Sequence, residues 1–310
     1  MRPTTPPDRA SAWFPGPTGL RSALLVLVAV AVSAGGGCGQ SEQAVAPAPD
    51  SGVPRIVSLS PALTQAMIDL GLAHALVGCT PFAPEAANSV PVVGDLLNPD
   101  LERILAVDPD LLLVQPTARG VDPALRTLAR EQDWDLVDWR IDRLEDVRNI
   151  LREVPSILGR HGADEQRLQS AVEEWLAQSE AVLTPCPVIR SAGRILVLYG
   201  VDPPAGFGTG TYVDDILVRL GGRNALQRPG YPELSLEDLL TLSPDTILVL
   251  GDPDRGALLQ TRFEPSPASP EVLTVEADAL LIPGTRLLEG VRTLRATFGC
   301  PPTDIAENGS

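Results

Sequence analysis

Residues 98–114, NPDLERILAVDPDLLLV, read as a short helix, a turn through Pro109-Asp110 and a buried strand; residues 234–250, LSLEDLLTLSPDTILVL, read the same way. Leu101, Glu102, Leu105, Pro109, Asp110 and Val114 return as Leu236, Glu237, Leu240, Pro244, Asp245 and Val249, each 135 residues later. A second pair frames this one. Arg55-Ile56-Val57-Ser58-Leu59 and Arg194-Ile195-Leu196-Val197-Leu198 lie 139 residues apart, each followed by loop residues and an amphipathic helix. A unit used twice at nearly equal offsets predicts two similar lobes.

The strands are short continuous apolar runs alternating with helices, so the class is α/β with mainly parallel sheets covered on both faces. From Asp164 to Leu183 there is no Gly or Pro, and Leu168, Val172, Trp175, Leu176 and Leu183 recur at helical spacing. One long helix is therefore expected between the lobes, carrying the chain about 30 Å. The expected layout is a first lobe at 55–161, the connector at 162–186, a second lobe at 187–300 and a tail at 301–310. In such folds ligands bind beyond the carboxyl ends of the strands.

Upstream, Arg2, Arg9 and Arg21 precede an apolar run from Ala23 to Ala34, then Gly35-Gly36-Gly37 and Cys38. The run is short for a membrane span and reads as an export signal over 1–37. The small residues before Cys38 resemble a lipoprotein signal that lipidates Cys38, although Gly35 stands where leucine is usual; an ordinary secretory signal is the other reading. Residues 38–54 read as a flexible tether. The 24 basic residues are all arginine and face 40 acidic ones, a formal net charge of -16 that argues against nucleic acid as a partner. With Cys38 set aside, Cys79, Cys186 and Cys300 allow one internal disulfide; Cys186 and Cys300, each beside proline, either pair or remain thiols.

Candidate ligand contacts sit at strand ends. Ser60 and Pro61 suit a helix N-cap and first helical position, and the same helix end offers free N–H groups. Phe82 and Gln115 follow later strands of the first lobe. In the second, Phe207 lies in a glycine-rich loop, Gly206-Phe207-Gly208-Thr209-Gly210, that does not satisfy a dinucleotide fingerprint. Phe207 and Tyr231 either line a mouth or fold back on their own core. Glu102 and Glu237 either stabilise their helices or dock onto a basic partner. His74 and His161 form no ligand spacing with Cys, Asp or Glu, and no nucleophile and base pairing is legible. Neither a catalytic set nor a cofactor or metal site is expected.

Residues 55–298 as an ordered set, RIVSLSPALTQAMIDLG through NPDLERILAVDPDLLLV, then RILVLYGVDPPAGFGTGTYVDDILVRLGGRNAL, YPELSLEDLLTLSPDTILVL and PGTRLLEGVRTL, resemble the cobalamin and ferric-siderophore binding proteins of ABC importers. The resemblance implies two Rossmann-like lobes spanned by one helix, moving little on binding, in a monomer that hands a small ligand to a permease dimer. It implies docking by Glu102 and Glu237 and aromatic contacts near Phe82, Phe207 and Tyr231. Asp95-Leu96 and Gln115-Pro116 stand where the cobalamin binder has tryptophans, so the cage is thinner. Loop 80–84 lacks the tyrosine or histidine of haem-binding relatives. Arginines that hold ferric siderophores have candidates in Arg286, Arg119 and Arg140. Cobalamin is the favoured ligand, ahead of a ferric siderophore. The rival classes are a metal-cofactor enzyme on a related two-lobed fold, a zinc or manganese binder and a surface lipoprotein without a permease.

Overall fold

The structure is a computed structural model that describes residues 52–261, 263 and 269–303. The export signal, Cys38 and most of the tether lie outside those residues. No described helix is long and apolar enough to cross a membrane.

The described chain builds two separate sheets. The first contains β1 (Ile56–Ser58), β2 (Leu76–Gly78), β3 (Leu111–Val114) and β4 (Asp135–Asp138) in the order β2-β1-β3-β4, every pairing parallel. The second contains β5 (Arg194–Val201), β6 (Pro204–Gly206), β7 (Arg223–Asn224), β8 (Thr246–Leu250) and β9 (Glu271–Val275) in the order β6-β5-β8-β9, with β7 also on β5. Its pairings are parallel except the antiparallel β5–β6 hairpin. Helices cover both: α1 (Pro61–Asp69), α2 (Leu101–Val107) and α3 (Pro123–Glu131) flank the first; α6 (Pro187–Ser191), α7 (Tyr212–Arg219), α8 (Leu236–Leu242), α9 (Pro253–Gln260) and α10 (Leu287–Thr297) belong to the second. Between them run α4 (Leu144–Arg160) and α5 (Glu165–Val182).

The apolar runs divide as strand alternation requires. Ile56, Leu111 and Leu113 join Ile195, Val197, Leu248 and Leu250 in one core shared by both halves. Their alternates split into two outer cores: Val57, Leu112 and Val114 with Ile104 under α2, and Leu196, Leu198, Ile247 and Val249 with Leu239 under α8. Continuous apolar strands are the result of having a core on each face.

The repeated units are mounted identically. Each short helix ends at a left-handed residue, Asp108 at φ 42° and Ser243 at φ 41°. An arginine opening the neighbouring strand holds that end: Arg55 donates to the carbonyls of Val107 (2.6 Å) and Asp108 (3.0 Å), Arg194 to that of Leu242 (2.8 Å). The backbone N–H of the same arginine donates to the turn aspartate at 2.7 Å in both copies, Arg55 to Asp110 and Arg194 to Asp245.

α5 is the anticipated helix, and α4 returns against it, turning at Gly162 (φ 92°). The start of α4 is fixed to α7: Arg143 pairs with Asp215, and the Leu144 N–H donates to the same carboxylate at 3.0 Å. Buried Arg148 of α4 pairs with Glu180 of α5 (2.6 Å) and donates to Ser179 (2.9 Å), while Glu180 also pairs with Arg219 of α7. α4 is tied to the first half as well, where Glu153 accepts from the Trp139 indole at 2.8 Å. The chain crosses once more near its end: Thr285 donates to Asp69 of α1 (2.5 Å), and the Trp175 indole of α5 donates to the Thr285 carbonyl (2.9 Å). Cys186 and Cys300 are disulfide-bonded, with Cα atoms 6.0 Å apart, closing the second half on itself. Cys79 is a buried thiol.

Candidate functional site

At the carboxyl end of β1 the polar residues mostly bind one another. Ser60 caps α1 and also donates from Oγ to Gln115 Oε1 at 3.0 Å; Thr64 donates to Ser58 Oγ and to the Ser60 carbonyl, each at 2.9 Å. Ser60 is 0% exposed, so its expected ligand contact gives way to a capping and bracing role. Gln115, half-buried at the end of β3, is held in place by that bond.

Beside this cluster, Pro61, Gln65, Phe82 and Pro84 from the first half and Asp278, Ile282 and Arg286 from the second wall a cavity of about 80 Å³. Three sequence candidates meet there: Pro61, Phe82 and Arg286. Gln115 and Tyr231 do not line it. The Arg286 guanidinium lies on Glu289, with Nε and Nη2 at 2.9 and 2.8 Å from one carboxylate oxygen, so half of its fork is occupied.

In the second half the three tyrosines of the chain gather around Phe207. Its ring meets Tyr199, Tyr212 and Tyr231 edge-to-face at centroid distances of 5.1, 5.7 and 5.7 Å. Phe207 is 0% exposed, which corrects the expectation that it lines a mouth. The reason lies in the backbone: the supposed loop runs on from β6 and stays hydrogen-bonded, Phe207 N–H donating to the Val197 carbonyl of β5 (3.0 Å) and Gly208 N–H to that of Gly230 (2.8 Å). A Cβ at Gly208 would stand 1.8 Å from the Arg228 carbonyl oxygen, so glycine serves close backbone approach rather than flexibility.

Tyr231 stays half-buried at the edge of this cluster. Burial raises its hydroxyl pKa first, the nearby Asp142 carboxylate raises it further and Arg140 opposes them. Both charged neighbours belong to the loop between β4 and α4. Tyr199 is pushed up to about 12 by burial and the Glu233 carboxylate. Sequence reading passed over Tyr199, yet it continues the Ile195, Val197 alternation toward the shared core. Gln65 and Asp278 carry no comparable signal. Among the described residues no cluster of three or more His, Cys, Asp or Glu is placed to hold a metal ion.

Glu102 and Glu237 are exposed in the first turns of α2 and α8. Neither carboxylate has a hydrogen-bond or ion-pair partner among the described residues. Capping is done by others: Asp100 accepts from Arg103 N–H (3.1 Å), and Ser235 accepts from Asp238 N–H (3.0 Å).

Known proteins share this architecture. A vitamin B12-binding protein of Pectobacterium carotovorum is 26% identical over 246 residues, 76% of this chain and 84% of its own length. The solved periplasmic vitamin B12-binding protein of Vibrio cholerae superposes with a TM-score of 0.61 at 20% identity, covering 80% of this chain and 97% of that one. A periplasmic haem-binding protein of Roseiflexus sp. RS-1 superposes at 0.60 with 24% identity over 80% and 98%. Residues 56–268 match the family described as periplasmic binding protein, and with its two sheets and shared core this chain belongs to that family.

Proposed function

We propose that this chain is an exported substrate-binding lipoprotein, anchored through Cys38, that captures cobalamin or a related corrinoid between its halves and delivers it to the permease of an ABC importer. The observation that carries the reading is that Pro61 and Phe82 from one half and Arg286 from the other wall a single cavity. That cavity is small beside the roughly 300–1,000 Å³ of drug-sized ligand sites, so a corrinoid extends from it into the space between the strand ends, toward Gln115 and Tyr231. No bond is made or broken; Glu102 and Glu237 present the loaded protein to the permease.

The charge arrangement favours a corrinoid over an anionic ferric siderophore. Arg140 pairs with Asp142 and Arg286 with Glu289, which leaves Arg119, exposed after β3, as the arginine of the three without an acidic partner among the described residues. Relatives named for vitamin B12 support the same choice. The test is the native mass and visible absorbance of the purified protein with cyanocobalamin, cobinamide, haem and ferric siderophores. A one-to-one mass gain with a corrinoid is expected. A gain with haem or a siderophore in its place would move the ligand assignment, and none with any of them would remove the capture role.

A further inference from the structure

The two mounted helices repeat more than their glutamates. Leu105 of α2 and Leu240 of α8 are 46% and 60% exposed, although Ile104 and Leu239 beside them are 0% exposed and anchor each helix to its core. Each leucine follows its glutamate by three positions, which places the two on one helix face. Of the other positions, Arg103 corresponds to Asp238 and Ala106 to Thr241, while Leu101, packed against its core, and Leu236, 47% exposed, also match. Glutamate and leucine are the same in both.

Singly exposed apolar residues are ordinary on a surface. Two leucines at matching positions, each on a short helix whose far end is locked by an arginine, are a rigid apolar feature presented twice. We propose that Leu105 and Leu240 form the apolar half of the docking contact, each packing into the partner beside the basic groups that receive Glu102 and Glu237. The occupant is a pair of like permease subunits. Two equal mounts on otherwise divergent halves fit two copies of one surface, and the unpaired carboxylates call for basic groups on it. The Leu105 and Leu240 assignment rests on the importer reading above and goes beyond it, since charge steers and orients docking while burial of leucine slows release.

The test is binding of the full chain to the ABC permease complex of the same cell, reconstituted in lipid nanodiscs. Four proteins are compared: wild type, Leu105→Ser with Leu240→Ser, Leu105→Met with Leu240→Met, and Glu102→Ala with Glu237→Ala. A Leu258→Ser variant, altered at an exposed leucine elsewhere, is the control. The serine pair is expected to weaken binding by about tenfold per leucine through faster release, with ligand affinity and thermal midpoint unchanged, and the methionine pair to restore it. If the alanine pair weakens binding while the serine pair equals wild type, the leucine contact is wrong and the docking reading stands. If neither pair changes binding, or wild type does not bind, both fall.

Discussion

The ends of β1 and β5 occupy equivalent places in the two copies, yet one is polar and the other aromatic. After β1, Ser58, Ser60, Thr64 and Gln115 close on one another through hydrogen bonds. Around the end of β5, Tyr199, Phe207, Tyr212 and Tyr231 stack edge to face. The mounts of α2 and α8 have kept the same arginine, aspartate and left-handed cap. Duplication thus preserved the parts that set helix direction, while the strand ends went separate ways.

The disulfide is where breaking this comparison has the largest expected effect. Cys186 and Cys300 are separated by 114 residues, all within the second half and its lead-in. Replacing both with serine is expected to destabilise the protein by about 5 kcal/mol in the loop-entropy account. Hydrogen exchange should locate the loss at α6 and α10, with β1 to β4 changed less.

Loop aromatics give the next contrast. Phe207→Ala leaves a hole among three tyrosines and is expected to cost about 3–5 kcal/mol. Phe82 is half-buried at the cavity wall, and Phe82→Ala is expected to leave the denaturation midpoint nearly unchanged. Urea unfolding of both variants checks this, and equal midpoints would return Phe207 to the ligand.

Much of the scaffold was legible because it rests on local pattern. Strand alternation in LLLV and TILVL separates inner from outer core, and the helix from 165 to 182 was readable from its uninterrupted period. The packing of α4 was not legible, since its attachment runs through Arg143 and Asp215, 72 residues apart. Phe207 was misplaced for a similar reason. Glycines that suggested a flexible loop are there because residues 206–209 lie against residues 228–232, a contact between separate segments. Of the residues that wall the cavity, Pro61 and Phe82 were named from strand-end position and Arg286 from the family resemblance; the bracing of Ser60 by Gln115 carried no sequence signal.

The smallest expected effect concerns Cys79, the thiol beside the first sheet. Burial pushes its pKa up to about 11 from an ordinary 9.0. The unfolded chain therefore releases this proton at lower pH than the folded one, so its contribution to stability is present below pH 9 and is lost as pH rises toward 11. Stability curves of wild type and Cys79→Ala should converge over that window; parallel curves would show that the thiol does not titrate as described.

The account depends on one ligand held by both halves. Calorimetric titration of cyanocobalamin into wild type, Phe82→Ala, Tyr231→Ala and the double variant tests this directly. One site per chain is expected, weakened by either single change and further by both. Binding that ignores both changes, or a second site surviving in the double variant, would contradict it.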